Sequence, residues 1–144
     1  MTAECEIVPF QPTDLESFPE LLSVLKAEGA PAITGPAYTA RKGDTILAIA
    51  GIVPKGGHTG EAWFQSKHPL NGDARWLVWA VRRMLNHLIV EHGFRRVQAI
   101  INPSNPNAIR FIRALGFTCE TPSHMEAYWH GEARDLYARV THGT

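Results

Sequence analysis

The feature that most narrows what this chain can become is an alternation of strand and helix patterns across its third quarter. Glu61–Ser66 alternates, with Glu61, Trp63 and Gln65 on one face and Ala62, Phe64 and Ser66 on the other, as a strand does. Asp73–His92 then carries Leu77, Ala80, Val81, Met84, Leu85 and Leu88 at helical spacing, with Arg75, Arg82, Arg83, Asn86 and Glu91 mainly opposite. Asp73 suits the N-cap and Gly93 the stop. Val97, Ala99, Ile100 and Ile101 make Arg96–Asn102 a buried strand. Asn105 then caps a short helix, Pro106–Leu115, with Pro106 at its first position and Gly116 past its end. A helix joining two strands of one sheet makes them parallel. It also sets a helix N-terminus beside a strand end, where unpaired N–H groups and the helix dipole attract anions.

The rest of the chain supplies more strands. Glu4–Gln11 contains Ile7, Val8 and Phe10 and opens as a strand. Thr13-Asp14-Leu15-Glu16 reads as a capping box, and Ser17-Phe18-Pro19-Glu20 as a second one, with Pro19 tolerated in a first turn. A short turn and then a helix over Phe18–Glu28 follow, with Leu21, Leu22, Val24 and Leu25 on its apolar face and Gly29 at its end. Gly29–Pro36 is a loop rich in Pro and Gly. Tyr38–Lys42, a Gly43-Asp44 turn and Thr45–Val53 form a hairpin. Its second arm is apolar at both alternating sets and so is central and covered on both faces. Lys55–Gly60 is expected to be a flexible turn. Phe117–Thr121, His124–His130 and Arg134–Val140 complete the sheet, with His130-Gly131-Glu132-Ala133 as a hairpin turn.

A chain of 144 residues with 44% hydrophobic and 19% charged residues can bury the core of a single domain, 1–144. The longest apolar stretch, Ile46–Val53, is too short to cross a bilayer, and the first residues lack the pattern of a signal peptide. Two cysteines, Cys5 and Cys119, give no disulfide framework or metal cage, which suits a reduced, cytoplasmic setting. The net charge is zero, but it is unevenly spread. Arg75–Arg113 holds seven Arg and one acid, net +6, against −4 for residues 1–74 and −2 for residues 114–144. Such a local positive field would concentrate an anionic ligand. The cancelling flanks and the lack of a base-stacking motif argue against nucleic acid as a partner.

The run Asn105-Pro106-Asn107-Ala108-Ile109-Arg110-Phe111-Ile112-Arg113-Ala114-Leu115-Gly116-Phe117 resembles the signature of the GCN5-related N-acetyltransferases, the GNAT family. There an Asn opens a helix after a parallel strand and Leu-Gly-Phe closes it. The element order of nearly the whole chain is similar too. The resemblance implies an α/β fold with a mixed sheet of about six to seven strands and helices on both faces. It implies acetyl-CoA as cosubstrate, no metal, and an amine acceptor, either a small molecule or a protein, with a homodimer allowed. The pantetheine arm would pair with exposed backbone where two parallel strands diverge, near Phe64 and Ile100, with Phe64, Gln65 and Ser66 along it. The amine would attack the thioester directly, which calls for N–H donors at the oxyanion, a base for the amine and an acid for the thiolate.

Two positions depart from the family. Its pyrophosphate loop, Arg/Gln-x-x-Gly-x-Gly/Ala, falls on Asp73-Ala74-Arg75-Trp76-Leu77-Val78, where Trp76 and Val78 replace small residues and Asp73 would repel phosphate. A rewired site would use Arg75 and the N–H groups of residues 74–78, that is Ala74, Arg75, Trp76, Leu77 and Val78. The usual acidic Tyr is replaced by Ile112, which cannot donate a proton. These departures, with a fainter similarity of Ile109-Arg110-Phe111 and Trp63-Phe64 to GNAT-like internal virion proteins of tailed phages, support an alternative. On that reading the protein is a catalytically inactive binding or assembly factor, in an infected host or a virion.

Single residues carry two readings each. Asn105 is a helix cap and the implied cofactor contact. Glu61, where some relatives place a base, is equally a solvated strand-end carboxylate. His68 could titrate near neutrality or be a surface loop residue. His58, His124 and His130 carry no pattern, and the five-residue step from His87 to His92 is wrong for a metal site on one helix face. Arg110 and Arg113 share a face and could reach a phosphate or simply be solvated. Trp76 and Trp79 read as packing residues, and Cys119 as a small core residue.

Overall fold

A computed structural model of the chain describes residues 4–21, 23, 35–67 and 72–141. The elements are β1 (Cys5–Pro9), a 3-10 helix (Pro12–Ser17), β2 (Ala37–Lys42), β3 (Thr45–Gly56), β4 (Thr59–Ser66), α1 (Ala74–His92), β5 (Arg96–Ile101), α2 (Pro106–Ala114), β6 (Thr118–Cys119), β7 (Met125–Trp129) and β8 (Glu132–Val140). The described strands form one eight-stranded sheet in the order β1-β2-β3-β4-β5-β8-β6, with β7 also paired to β8. That is the number of strands traced by the sequence pattern, and one or two more than the resemblance implied. All the pairings with a defined register are antiparallel except β4 with β5, because α1 connects those two and returns the chain to the starting end.

By contacts the chain separates into two compact units, Met1–Val53 with Trp63–Ala80, and Pro54–Ala62 with Val81–Thr144. In the first, Leu15, Phe18 and Ile49 are buried together and Phe10, Leu21, Ile46 and Trp63 pack around them. The capping box there lies earlier than the sequence suggested. The Asp14 carboxylate accepts from the Gln11 N–H at 2.9 Å and from the hydroxyl of the buried Thr39 at 2.7 Å. Asp14 thus ties the 3-10 helix to β2, a long-range role that no local pattern reveals. Helical backbone resumes at Pro19; most of the helix expected up to Glu28, and the loop residues 29–34, lie outside the described residues.

In the second unit, Val81, Met84, Leu85, Leu88 and Ile89 of α1 are buried, as are Val97 and Ala99 of β5, Ile112, Leu115 and Phe117. The expected loose turn after Val53 is a tight one. β3 runs on to Gly56, and Gly57 and His58 alone turn the chain at φ 62° and 64°, the paired left-handed conformation that suits the twist of a hairpin. The His58 carbonyl accepts from the amides of Arg95 and Arg96 at 2.7 and 3.2 Å, fixing the start of β5. The last hairpin is as tight, turning at His130 and Gly131, so Glu132 already lies in β8.

Candidate functional site

Two places carry the chemistry suggested by the sequence, one in each unit. In the first, β4 continues past Trp63 to Ser66, and α1 opens at Ala74 after Asp73. Phe64 and Ser66 are half-buried and Gln65 is exposed. At the helix start Ala74 and Arg75 are exposed while Trp76 and Val78 are half-buried. Leu77 is different. Its side chain is 1% exposed and its amide donates to the Asp73 carbonyl at 2.9 Å, so it belongs to the core and to the helical ladder. The Val78 amide is one residue further into that ladder. By helix geometry the first-turn amides that lack an intrahelical acceptor are those of Ala74, Arg75 and Trp76, which narrows the expected donor set from 74–78 to 74–76.

Asp73 is also less repellent than its charge suggests. Its Oδ1 lies 3.3 Å from Lys42 Nζ and accepts from the Cys5 thiol at 3.8 Å. Burial, and then the Asp73 carboxylate beside it, push the Cys5 thiol up, so Cys5 stays protonated and serves as a donor. Trp79, expected to pack, is 55% exposed, outside the buried stripe of Leu77 and Ala80.

In the second unit the parallel ladder between β4 and β5 is short. Its register pairs Thr59 with Arg96, Gly60 with Val97 and Glu61 with Gln98. β5 goes on to Ile101 in antiparallel register with β8, Ile101 opposite Asp135. Glu61, at the last rung, has Oε2 3.9 Å from Lys55 Nζ. Beyond β5, the Asn105 side chain accepts from the Ala108 amide at 3.1 Å, so the expected cap is formed. Ile112, where a proton donor was missing, is 5% exposed and packs as core. His68 lies outside the described residues.

Several arginines of the basic stretch are engaged structurally. Arg82 donates to the Ala114 carbonyl at 2.9 Å, and Arg139 to the Leu115 carbonyl at 3.2 Å. Two guanidinium groups thus close the C-terminal end of α2, where carbonyls lack helical donors and the dipole favours cations. Burial, and then Arg82, lower the Arg139 pKa. Arg96 holds Glu120 by paired hydrogen bonds, and Arg110 donates to Asn107 on its own helix. The positive field read from the sequence is therefore partly neutralised within the fold.

A second group of polar side chains was not expected from the sequence. Asp135 on β8 is 5% exposed. Its Oδ1 lies 2.7 Å from His124 Nδ1 and accepts from the Thr121 hydroxyl at 3.0 Å. Thr121 Oγ1 in turn accepts from the Leu136 amide at 3.1 Å and lies 3.7 Å from Cys119 Sγ. Cys119, expected in the core, is exposed, because β6 has only two residues and pairs at the sheet's edge. The alternation of β8 could have flagged Asp135 as an acid at an inward position; nothing local could have supplied its partner.

No protein-family model matches the sequence, and no curated protein matches it. Solved structures do. A ribosomal-protein-S5-alanine acetyltransferase from Vibrio fischeri superposes with TM-score 0.71 at 12% identity, over 99% of this chain and 97% of that one. An acetyltransferase of the GNAT family from Streptococcus pneumoniae gives 0.69 at 15%, over 95% and 99%. A dodecameric spermidine N-acetyltransferase from Vibrio cholerae gives 0.71 at 12%, over 94% and 93%. At such identities the likeness is one of fold: this chain has the mixed-sheet acyltransferase fold of the GNAT acetyltransferases.

Proposed function

We propose that the protein is an acyltransferase that takes an acyl group from acetyl-CoA and passes it to an amine. The observation that carries the reading is the short parallel ladder. The β4–β5 register stops at Glu61 and Gln98, yet β4 itself runs on to Ser66 and is followed by the open first turn of α1, in a fold shared with N-acetyltransferases. On this reading the pantetheine arm adds to β4 along Phe64, Gln65 and Ser66, in the manner of strand addition. The pyrophosphate meets the amides of Ala74, Arg75 and Trp76, with the Arg75 guanidinium as an exposed cation and Lys42 offsetting Asp73. Backbone N–H groups and the dipole at a helix N-terminus favour a phosphate there.

Asn105 caps α2 and offers its amide group to the cofactor. Ile112 supplies shape and no proton, so the departing thiolate takes its proton from solvent or from another group. The acceptor is an amine, and the spermidine and the ribosomal-protein-S5 alanine named for structural relatives set the first compounds to try. Among the described residues no helix is long and apolar enough to cross a membrane.

Differential scanning fluorimetry with acetyl-CoA tests the reading directly. Acetyl-CoA is expected to raise the Tm and to quench tryptophan fluorescence, through Trp63 and Trp76 beside the proposed path. Free thiol should appear when an amine is added. An unchanged Tm at millimolar acetyl-CoA would overturn the assignment and leave the inactive binding or assembly role. A Tm shift without thiol release across a panel of amines would also favour that role, with coenzyme A as a bound ligand.

A further inference from the structure

We propose that Lys42 binds the diphosphate of coenzyme A and that Asp73 positions it for that task. This rests on the acyltransferase reading above and adds to it a cation that lies 31 residues from Asp73 along the chain. Cys5, Lys42, Asp73 and the first turn of α1 all belong to the first compact unit, as do Phe64, Gln65 and Ser66. In the antiparallel pair β1–β2, Cys5 lies directly opposite Lys42, and residues directly opposite share a face of the sheet. Both side chains reach the same carboxylate. Lys42 Nζ lies 3.3 Å from Asp73 Oδ1, and the Cys5 thiol donates to that oxygen at 3.8 Å. Asp73 is also the residue whose carbonyl opens the α1 ladder, accepting from the Leu77 amide at 2.9 Å. The ion pair therefore ties the ammonium to the residue just before Ala74, where the first-turn amides lack helical acceptors.

The charges are arranged to receive an anion. The Lys42 side chain is 37% accessible against 18% for Asp73, so the cation is the more open member of the pair. An ammonium has three donors and no acceptor. Asp73 takes one of them, and a phosphate oxygen can take another. Burial, and then Asp73, push the Cys5 thiol up, so Cys5 stays neutral and adds no second negative charge. Asp44, the acid nearest to Lys42 along the chain, pairs with Arg41 at 3.7 Å. An ion pair as open as Lys42–Asp73 contributes at most about 1 kcal/mol to folding, so its larger effect is expected on binding.

The pair also answers the loss of small residues at the start of α1. Trp76 and Val78 are half-buried there, and side chains at these positions hold a ligand away from the backbone, which glycine would let it approach closely. A lysine meets phosphate as a point charge at the end of a long, flexible stem, so it needs no such close approach. Lys42 thus supplies from β2 part of what the first turn of α1 lacks. Lys42 is a binding residue, and Asp73, which acts through it, a positioning residue.

The test is calorimetric binding to the full chain of two probes, coenzyme A and dephospho-coenzyme A, which share the diphosphate and differ in the ribose phosphate. K42M should weaken both by the same factor, about 10-fold, with the urea midpoint of the unliganded protein little changed. K42R, which keeps the charge, should recover most of the loss. Added salt should weaken binding to the wild type more than to K42M. In a D73N background the effect of K42M should shrink to less than about 3-fold, because the lysine is no longer held at the helix start. Equal affinity of wild type and K42M for coenzyme A would overturn the role of Lys42 and leave the acyltransferase reading standing. A loss confined to coenzyme A would move Lys42 to the ribose phosphate and overturn the diphosphate assignment. An undiminished effect of K42M in D73N would overturn the positioning role of Asp73. Failure of the wild-type protein to bind either probe at millimolar concentration would overturn the acyltransferase reading itself, and the phosphate contact with it.

Discussion

Gly51 shows how closely the first unit is packed around one aromatic ring. A Cβ there would lie 2.6 Å from the Pro36 carbonyl oxygen and 2.8 and 2.9 Å from atoms of the Trp63 indole. Trp63 has little room to yield, because Phe10 stands edge-on to it at 6.5 Å, and its Nε1 is buried with no hydrogen-bond partner among the described residues. G51A is therefore expected to destabilise the protein by roughly 1–3 kcal/mol, read by urea denaturation, with a shift in tryptophan emission as the ring is displaced. A substitution at Glu120 should report on pH. Hydrogen bonds from Arg96 hold the Glu120 carboxyl below its ordinary 4.5. The stabilisation is thus present above the unfolded value and lost as pH falls through the depressed one. The pair is partly exposed, with side chains 29% and 38% accessible, so its contribution is at most about 1 kcal/mol. The Tm gap between wild type and E120Q should be open near neutrality and close in acid well below 4.5.

Among the elements, α2 is the one whose two ends are held by different means. At its start Asn105 caps the Ala108 amide; at its close Arg82 and Arg139, from α1 and β8, take the carbonyls of Ala114 and Leu115. N105A should cost about 1 kcal/mol in chemical denaturation. If the same side chain also touches the cofactor, N105A will weaken acetyl-CoA binding, whereas N105D and N105S, which preserve a cap, separate the two roles. The cap was legible because Asn followed by Pro before an apolar run is a local signal. The C-terminal closure was not, since Arg82 and Ala114 are 32 residues apart and nothing in a helix face tells whether its Arg meets solvent or a neighbouring helix end. The same limit explains Trp79. Its spacing from Trp76 suggested packing, but α1 turns Leu77 and Ala80 inward and leaves Trp79 on the outer side.

At the scale of the whole molecule, the prediction is linkage. A ligand that binds only the folded chain stabilises it by about 2.7 kcal/mol at a hundred times its Kd, so acetyl-CoA should move the unfolding midpoint in proportion to the logarithm of its concentration. R75A should reduce that shift if its guanidinium meets phosphate, with unliganded stability little changed because Arg75 is exposed. Periodicity by itself determined the order of strands and helices, the buried stripe of α1, the parallel connection of β4 and β5 and the cap at Asn105. Each of these follows from residues within a few positions of one another, where backbone geometry fixes which side chains share a face. Only the tertiary structure decided which amides stay open at the start of α1, what Asp73 touches, and that His124 meets Asp135. Those depend on strands that become neighbours by pairing, and pairing brings together residues whose separation along the chain carries no periodic trace.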